Sequence, residues 1–460
     1  MIADLKPYAE YKESGLPWLG QMPRHWGSRR MKFLFRERSE KGFPKEPLLA
    51  ATQSKGVVRK EDYALRTVTA TSGLENLKLV QIGDFVISLR SFQGGIEVSH
   101  ARGIISPAYT VLYPRDGFDP RYFKIFFKSA DFIQSLTLFV TGIREGQNID
   151  YERLSRAFMP LPPTSEQIAI VRFLDWANGR LERTIRVKRE IVALLNEQKQ
   201  VIIHRAVTRG LDPSAPLKNS GITWLGQIPA HWQQHALWTL SRLRTEQNPG
   251  NLPLLSVFLD RGVIRYEDGG GQVHAPSLDL SNYQVVHAGD FVLNNQQAWR
   301  GSVGVSNHEG IISPAYIVLA LSDRLDPIFA NYLMRSKAMV DQFVAASKGV
   351  GDIQRQVFWP FLRKVQVPVP SAREQRAIVE YLSRETAGLT RSISHQEREI
   401  ELLREYRSRL VTDVVTGKLD VRAAAAALTD ETLLGSLAAS RAPDDDTIET
   451  EDFTDTESNA

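Results

Sequence analysis

Two stretches of the chain repeat apolar residues every seven positions, with a second series three residues later. This is the a and d pattern of a coiled coil. In the first stretch Val171, Ile185 and Val192 interleave with Leu174, Leu181, Leu195 and Ile202, and the polar exceptions are Asn178, Lys188 and Lys199. Adding 208 gives the second stretch: Val379, Ile393 and Ile400 with Leu382, Leu389, Leu403 and Leu410, and polar exceptions at Thr386, Gln396 and Arg407. Polar seam residues cost stability but fix register and partner. The pattern predicts two helices of roughly 43 residues, each about 65 Å long. Gly179 and Gly388 weaken their first turns. Neither stripe can stay in water, and the two bury each other most simply as an antiparallel pair. Each helix leads out of one globular domain toward the other, so the halves are related by a pseudo-two-fold.

The globular stretches ahead of the helices carry short β-type runs such as Asp84–Leu89 and Phe291–Leu293, broken by Gly, Pro, Asn and Asp. One helix is expected in each, near 120–135 and 327–346. These stretches too are duplicates. Ser14–Trp26 returns as Ser220–Trp232, and Gly83-Asp84-Phe85-Val86 returns as Gly289 to Val292, both shifted by 206. Gly103–Tyr109 returns as Gly310–Tyr316, shifted by 207, and Glu166-Gln167 as Glu374-Gln375, shifted by 208. A repeat this long is a duplicated domain rather than a solenoid unit of about 20–50 residues. Trp18, Trp26, Trp224 and Trp232 are expected as packing anchors, and His25 and His231 as structural hydrogen-bonding groups. Thr164 with Gln167, and Ser371 with Glu374, have capping-box spacing at the helix starts. The fold class is therefore α+β: two duplicated mixed α/β domains, 1–163 and 211–370, separated by antiparallel coiled-coil helices, 164–210 and 371–420. An Ala-rich then acidic segment, 421–460, is expected to be disordered, with a short helix allowed within 422–440.

Charge sharpens this picture. The chain carries +4 overall, yet residues 441–460 hold eight acids and one base, so the body is basic, a pointer toward nucleic acid. There are no cysteines, which excludes disulfides and thiolate metal sites. No apolar run reaches the roughly 18 residues of a membrane span, and the N-terminus lacks a signal-peptide layout. A cytoplasmic protein without membrane contact is expected. No phosphate loop, no Gly-x-Ser-x-Gly elbow, no His-x-x-x-His spacing and no Asn/Asp-Pro-Pro-Tyr run occurs. The chain reads as a binder without metal or catalytic residues.

Pro-x-His-Trp near the start, Gly-Asp-Phe, Ile-Ser-Pro-Ala-Tyr, then Leu-Pro-Pro-x-x-Glu-Gln or its counterpart leading into a heptad helix, all in order and all twice, resemble one family. It is the DNA-specificity (S) subunit of bacterial type I restriction–modification systems. The resemblance covers residues 14–420. It implies two target-recognition domains, each reading half of a split asymmetric site in double-stranded DNA, with the helices as a ruler for the gap. It implies a non-catalytic, DNA-associated chain that binds no cofactor itself. Its partners would be two adenine-N6 methyltransferase (modification) subunits, which use S-adenosylmethionine, and restriction/translocase subunits, which use ATP and magnesium. The residues alone also fit a duplicated protein-binding adaptor without DNA readout.

Bases are read by Arg, Lys, Asn and Gln. The loops after the Gly-Asp-Phe strands sit at equivalent places and differ in sequence. They supply Arg90 and Gln93 in the first half and Asn294, Asn295, Gln296, Gln297 and Arg300 in the second. A second pair of loops supplies Arg144, Gln147 and Asn148, and Lys348, Gln354 and Arg355. Lys41, Lys45, Lys55, Arg59 and Lys60 are candidates for phosphate contacts.

Overall fold

The computed structural model describes residues 5–63, 73–141, 148–248, 250, 252–259, 261–269, 277, 279–349 and 355–429. It divides into two units, one built from 1–189 with 398–443, the other chiefly from 190–397.

In the first unit a four-stranded antiparallel sheet runs Phe35–Arg38, Thr110–Pro114, Phe85–Ile87, Glu97–Val98 in spatial order. Both faces of this sheet are covered. Side chains alternate along a strand, so Phe85, Ile87 and Leu112 face an aromatic core with Phe35, Phe123, Phe126, Phe127 and Phe132. Val86 and Val111 face the other way, onto Leu49, Val57, Val80 and Ile105 from two further strand pairs. One of those pairs is the hairpin Leu49–Thr52/Gly56–Arg59.

The second unit repeats this plan. Its sheet runs Ser241–Leu243, Tyr316–Leu321, Asp290–Asn294, Val303–Val305, and its hairpin is Leu255–Phe258/Gly262–Arg265. Phe291, Leu293 and Leu319 meet the helices, while Val292 and Val318 meet the hairpin side. Gly103 and Gly310 are required by close approach. A methyl group on either would lie 2.3 or 2.4 Å from the carbonyl oxygen of Pro47 or Pro253.

Each helix expected near 120–135 and 327–346 is two short helices: Pro120–Phe126 and Ala130–Leu136, Pro327–Met334 and Lys337–Ala345. The break falls at Lys128-Ser129 and Arg335-Ser336. Ser129 Oγ donates to the Phe126 carbonyl at 2.7 Å, a local bond that competes with helix continuation.

The long helices span Thr164–Arg209 and Ala372–Val415. In the first unit the start of one packs with the end of the other: Val171, Leu174 and Ala177 share a core with Leu410, Val414 and Val415. In the second unit Ile203, Ala206 and Val207 share a core with Ile378 and Leu382. The pairing is thus antiparallel in both. Val171, Leu174, Leu181, Ile185, Leu382, Ile393, Ile400 and Leu410 are buried, and Val192, Leu195, Ile202, Val379, Leu389 and Leu403 are half-buried. The polar seam residues find uses. Lys188 Nζ donates to Glu399 at 2.7 Å, Arg407 pairs with Glu182, and Thr386 Oγ1 bonds back to the Leu382 carbonyl. The Asn178 side-chain oxygen is buried without a hydrogen-bond partner.

The Ala-rich start of the 421–460 segment is ordered and holds the short helix expected within 422–440. Helix Arg422–Ala426 docks Val421, Ala425 and Leu428 into the first unit's core. These apolar positions recur at i, i+4 and i+7, a helical face that average composition conceals. The acidic remainder lies outside the described residues.

Candidate nucleic-acid interface

The repeated motifs close a set of long-range bonds in each unit. In the first unit Glu166, buried at the start of the long helix, accepts hydrogen bonds from Trp26 Nε1 at 2.9 Å, from His25 Nε2 at 2.7 Å and from the Tyr8 hydroxyl. Burial, then the bond to Glu166, raises the Tyr8 pKa far above the ordinary phenol value. In the second unit Glu374 accepts from Trp232 Nε1 at 2.9 Å and from His231 Nε2 at 3.0 Å.

The neighbouring glutamines hold the next helix. Gln167 Oε1 accepts from the Asp119 amide, and Gln375 Oε1 from the Asp326 amide, both at 2.8 Å. Asp119 and Asp326 in turn cap the helices that open at Pro120 and Pro327. The capping boxes expected at 164–167 and 371–374 therefore do not form. Ser371 Oγ does accept from the Glu374 amide at 3.3 Å, but the Glu374 carboxylate is taken by Trp232 and His231. Trp26 and Trp232 are fully buried. Trp18 is half-buried, and Trp224, expected as an anchor, is 42% exposed.

The Gly-Asp-Phe turn is structural in both units. Asp84 accepts from the Gln81 amide and pairs with Arg38 at 2.8 Å, and Asp290 accepts from the His287 amide and pairs with Arg244 at 2.7 Å. Gly83 and Gly289 take positive φ there.

The strands that follow lead straight into the expected reading loops. In the first unit Arg90 is half-buried at the start of the short helix Ser91–Gly94, on which Gln93 is exposed. That helix packs against Asn148–Ile149, so exposed Asn148 joins it. Arg144 and Gln147 lie outside the described residues. In the second unit the loop 294–300 meets Arg355 and Val357. The Val357 amide donates to the Asn295 carbonyl at 2.8 Å, and the guanidinium of half-buried Arg355 lies 5.5 Å from the Trp299 ring. Exposed Arg300 covers the same ring at 4.7 Å. Trp299 Nε1 donates to the Gln296 carbonyl at 2.8 Å, which holds the indole beside both guanidiniums. Gln296 and Gln297 are exposed. Asn294 turns its side chain back on the Gln296 amide, and Asn295 is half-buried with its side-chain oxygen unpartnered, so these two shape the loop. Lys348 sits 4.2 Å over the Phe361 ring, and Gln354 lies outside the described residues.

Among the phosphate candidates, Lys41, Lys45, Lys55 and Arg59 are exposed, and burial lowers the pKa of half-buried Lys60. Sequence reasoning missed Trp299, and it missed the two hairpins beside these loops. Their signal was available: Gly56-Val57-x-Arg59-x-Glu61-Asp62 returns as Gly262-Val263-x-Arg265-x-Glu267-Asp268, shifted by 206. Among the described residues no group of three or more His, Cys, Asp and Glu side chains is arranged to hold a metal, and no helix is long and apolar enough to cross a membrane.

No family model matches the chain. In sequence it is similar to the type I restriction enzyme MjaVIII specificity subunit of Methanocaldococcus jannaschii, with 24% identity over 303 residues, 61% of this chain and 66% of that protein. In fold it is similar to a chain from a solved structure on complex assembly and conformational transition of the type I R-M system, with TM-score 0.58, 16% identity, and coverage of 86% of this chain and 98% of that one. The HsdS subunit from Thermoanaerobacter tengcongensis aligns over the same shares at TM-score 0.40 and 16% identity. The expectation of a specificity rather than a catalytic subunit agrees with the name of the sequence relative. In sequence the chain is thus similar to a type I restriction enzyme specificity subunit, and in fold to a chain of a type I R-M system.

Proposed function

We propose that the chain reads a bipartite, asymmetric DNA site and positions adenine-N6 methyltransferase and restriction subunits on it. Residues 1–163 and 211–370 are the target-recognition domains, and 164–210 with 371–420 the spacer. One observation carries the reading. The two halves keep the same long-range bonds, while their equivalent surface loops differ in chemistry, Arg90/Gln93/Asn148 against a tryptophan beside two arginines with Gln296 and Gln297. Stacked Arg–aromatic surfaces and exposed amides suit base edges and phosphates. The chain itself needs no cofactor. S-adenosylmethionine belongs to the modification partners, and ATP with magnesium to the restriction partner.

The test is to co-produce the chain with the methyltransferase encoded beside it and map adenine methylation on genomic DNA. A split motif with a fixed gap is expected, and adding one heptad to each long helix should change that gap. Methylation without a split motif would favour a protein-binding adaptor and overturn the proposal.

A further inference from the structure

We infer that the tips of the two hairpins, at Gln53 and Leu259, are a further pair of base-reading positions, one per recognition domain. The inference rests on the DNA-reading assignment above and extends it to an element outside the loops considered so far.

The two residues are equivalent under the repeat, and both are exposed, Leu259 at 55%. In each unit the tip is tied down by its backbone. Lys128 Nζ donates to the Gln53 carbonyl at 3.0 Å and to the Gly94 carbonyl at 2.8 Å, and it also pairs with Glu97. The repeat-equivalent Arg335 donates from Nη2 to the Leu259 carbonyl at 3.1 Å. Both cations stand at the break between the two short helices, so the break itself supplies the anchor. Each tip then lies against the turn that ends the expected reading loop. A methyl group on Gly94 would fall 2.7 Å from the Gln53 side chain, and one on Gly301 would touch Leu259 Cδ1 at 3.7 Å.

Other tip residues are engaged in holding the turn. Thr52 Oγ1 donates to the Gly56 carbonyl and accepts from the Lys55 amide, while Arg261 stacks on Phe258 and donates to the carbonyls of Asp268 and Gly269. The side chains of Gln53 and Leu259 are thus presented beside the loop and held through their own carbonyls. One is an amide, the other an isobutyl group. An amide side chain matches the N6/N7 edge of adenine, and an apolar one matches the thymine methyl. The chemistry assigns Gln53 to an adenine in one half-site and Leu259 to a thymine in the other.

The experiment uses the full chain assembled with its methyltransferase and compares the adenine-methylation motif for wild type, Gln53→Leu, Leu259→Gln and the conservative Leu259→Met, with thermal unfolding of each. Each swap should change preference at one base position of one half-site by about 5- to 150-fold, the worth of one good contact. The other half-site and the gap should stay as they are, and Leu259→Met should keep the wild-type motif. A split wild-type motif that neither swap alters at any position would overturn this inference and leave the DNA-reading assignment intact. A wild type with no split motif would overturn both. Lys128→Met should blur the same base position as Gln53→Leu, with Lys128→Arg restoring it. Uniform weakening for every sequence would mark Lys128 as structural only and overturn its positioning part.

Discussion

Removing the carboxylate of Glu166 should cost more than removing that of Glu374, although the two occupy the same place in the repeat. Glu166→Ala strands two buried donors, the Trp26 indole N–H and the Tyr8 hydroxyl, both under 6% exposed. Each unsatisfied buried donor costs about 1–3 kcal/mol, so together they make about 2–6 kcal/mol. The His25 contribution is discounted because that side chain is 41% exposed. Glu374→Ala strands only the Trp232 indole, at about 1–3 kcal/mol, since His231 is 56% exposed and none of the described residues takes the place of Tyr8. Hydrogen–deuterium exchange by mass spectrometry reads both halves in one sample. Peptides covering 20–34 should open about 30-fold or more in Glu166→Ala, and peptides covering 226–240 about 5- to 150-fold in Glu374→Ala, at one decade per 1.4 kcal/mol. Equal losses in the two halves would refute the ledger of donors, and no loss in either would refute the carboxylate as the anchor of the His-Trp turn.

Three further outcomes follow from the same structure. Ile185→Ala at the buried seam should lower stability by about 2–5 kcal/mol, whereas Val187→Ala, exposed two residues along, should stay within about 0.5 kcal/mol; urea unfolding followed by circular dichroism at 222 nm separates them, and similar losses would refute the seam. Burial pushes the Asp420 carboxyl up, but bonds from the Arg422 side chain and amide and its charge outweigh this and hold it below the ordinary value. A depressed carboxyl stabilises fully above its unfolded value, near pH 4, and that contribution fades as pH falls through the folded value; exchange in peptide 419–428 should therefore rise on acidification below pH ~4 in wild type and show no such step in Asp420→Asn. Arg300→Ala with Gln297→Ala should weaken specific DNA binding by the assembled complex about 10-fold or more, the scale of one or two base contacts, with unfolding temperature unchanged; equal affinity in a gel-shift titration would remove that loop from the interface.

The chain discloses short-range order readily and long-range bonding only by its repetition. The heptad helices were legible because their signal lies within seven residues and is written twice, down to Lys188 and Arg407, which each find an acid on the opposite helix. The destinations of Glu166 and Gln167 were not. Both sit at the third and fourth positions of a helix start, where local spacing imitates a capping box, while their partners lie 140 residues away at Trp26 and 48 away at Asp119. The docking of 421–428 was hidden for a related reason, since alanine content allows a short helix but says nothing of which alanine faces a core.

What the repeat does mark is the class of bond each position makes. At Glu166/Glu374, Gln167/Gln375 and Asp84/Asp290 a side chain closes the bond and the residue is the same in both halves, and at Lys128/Arg335 the residue changes but stays a cation. Where the backbone closes it, as at the Gln53 and Leu259 carbonyls, the side chain differs although the geometry does not. A position held by its carbonyl can change chemistry without moving. That is the condition a pair of domains must meet to read two different half-sites on one scaffold, and it explains why identity between the halves fades at the tips while the flanking Gly-Val and Glu-Asp pairs persist.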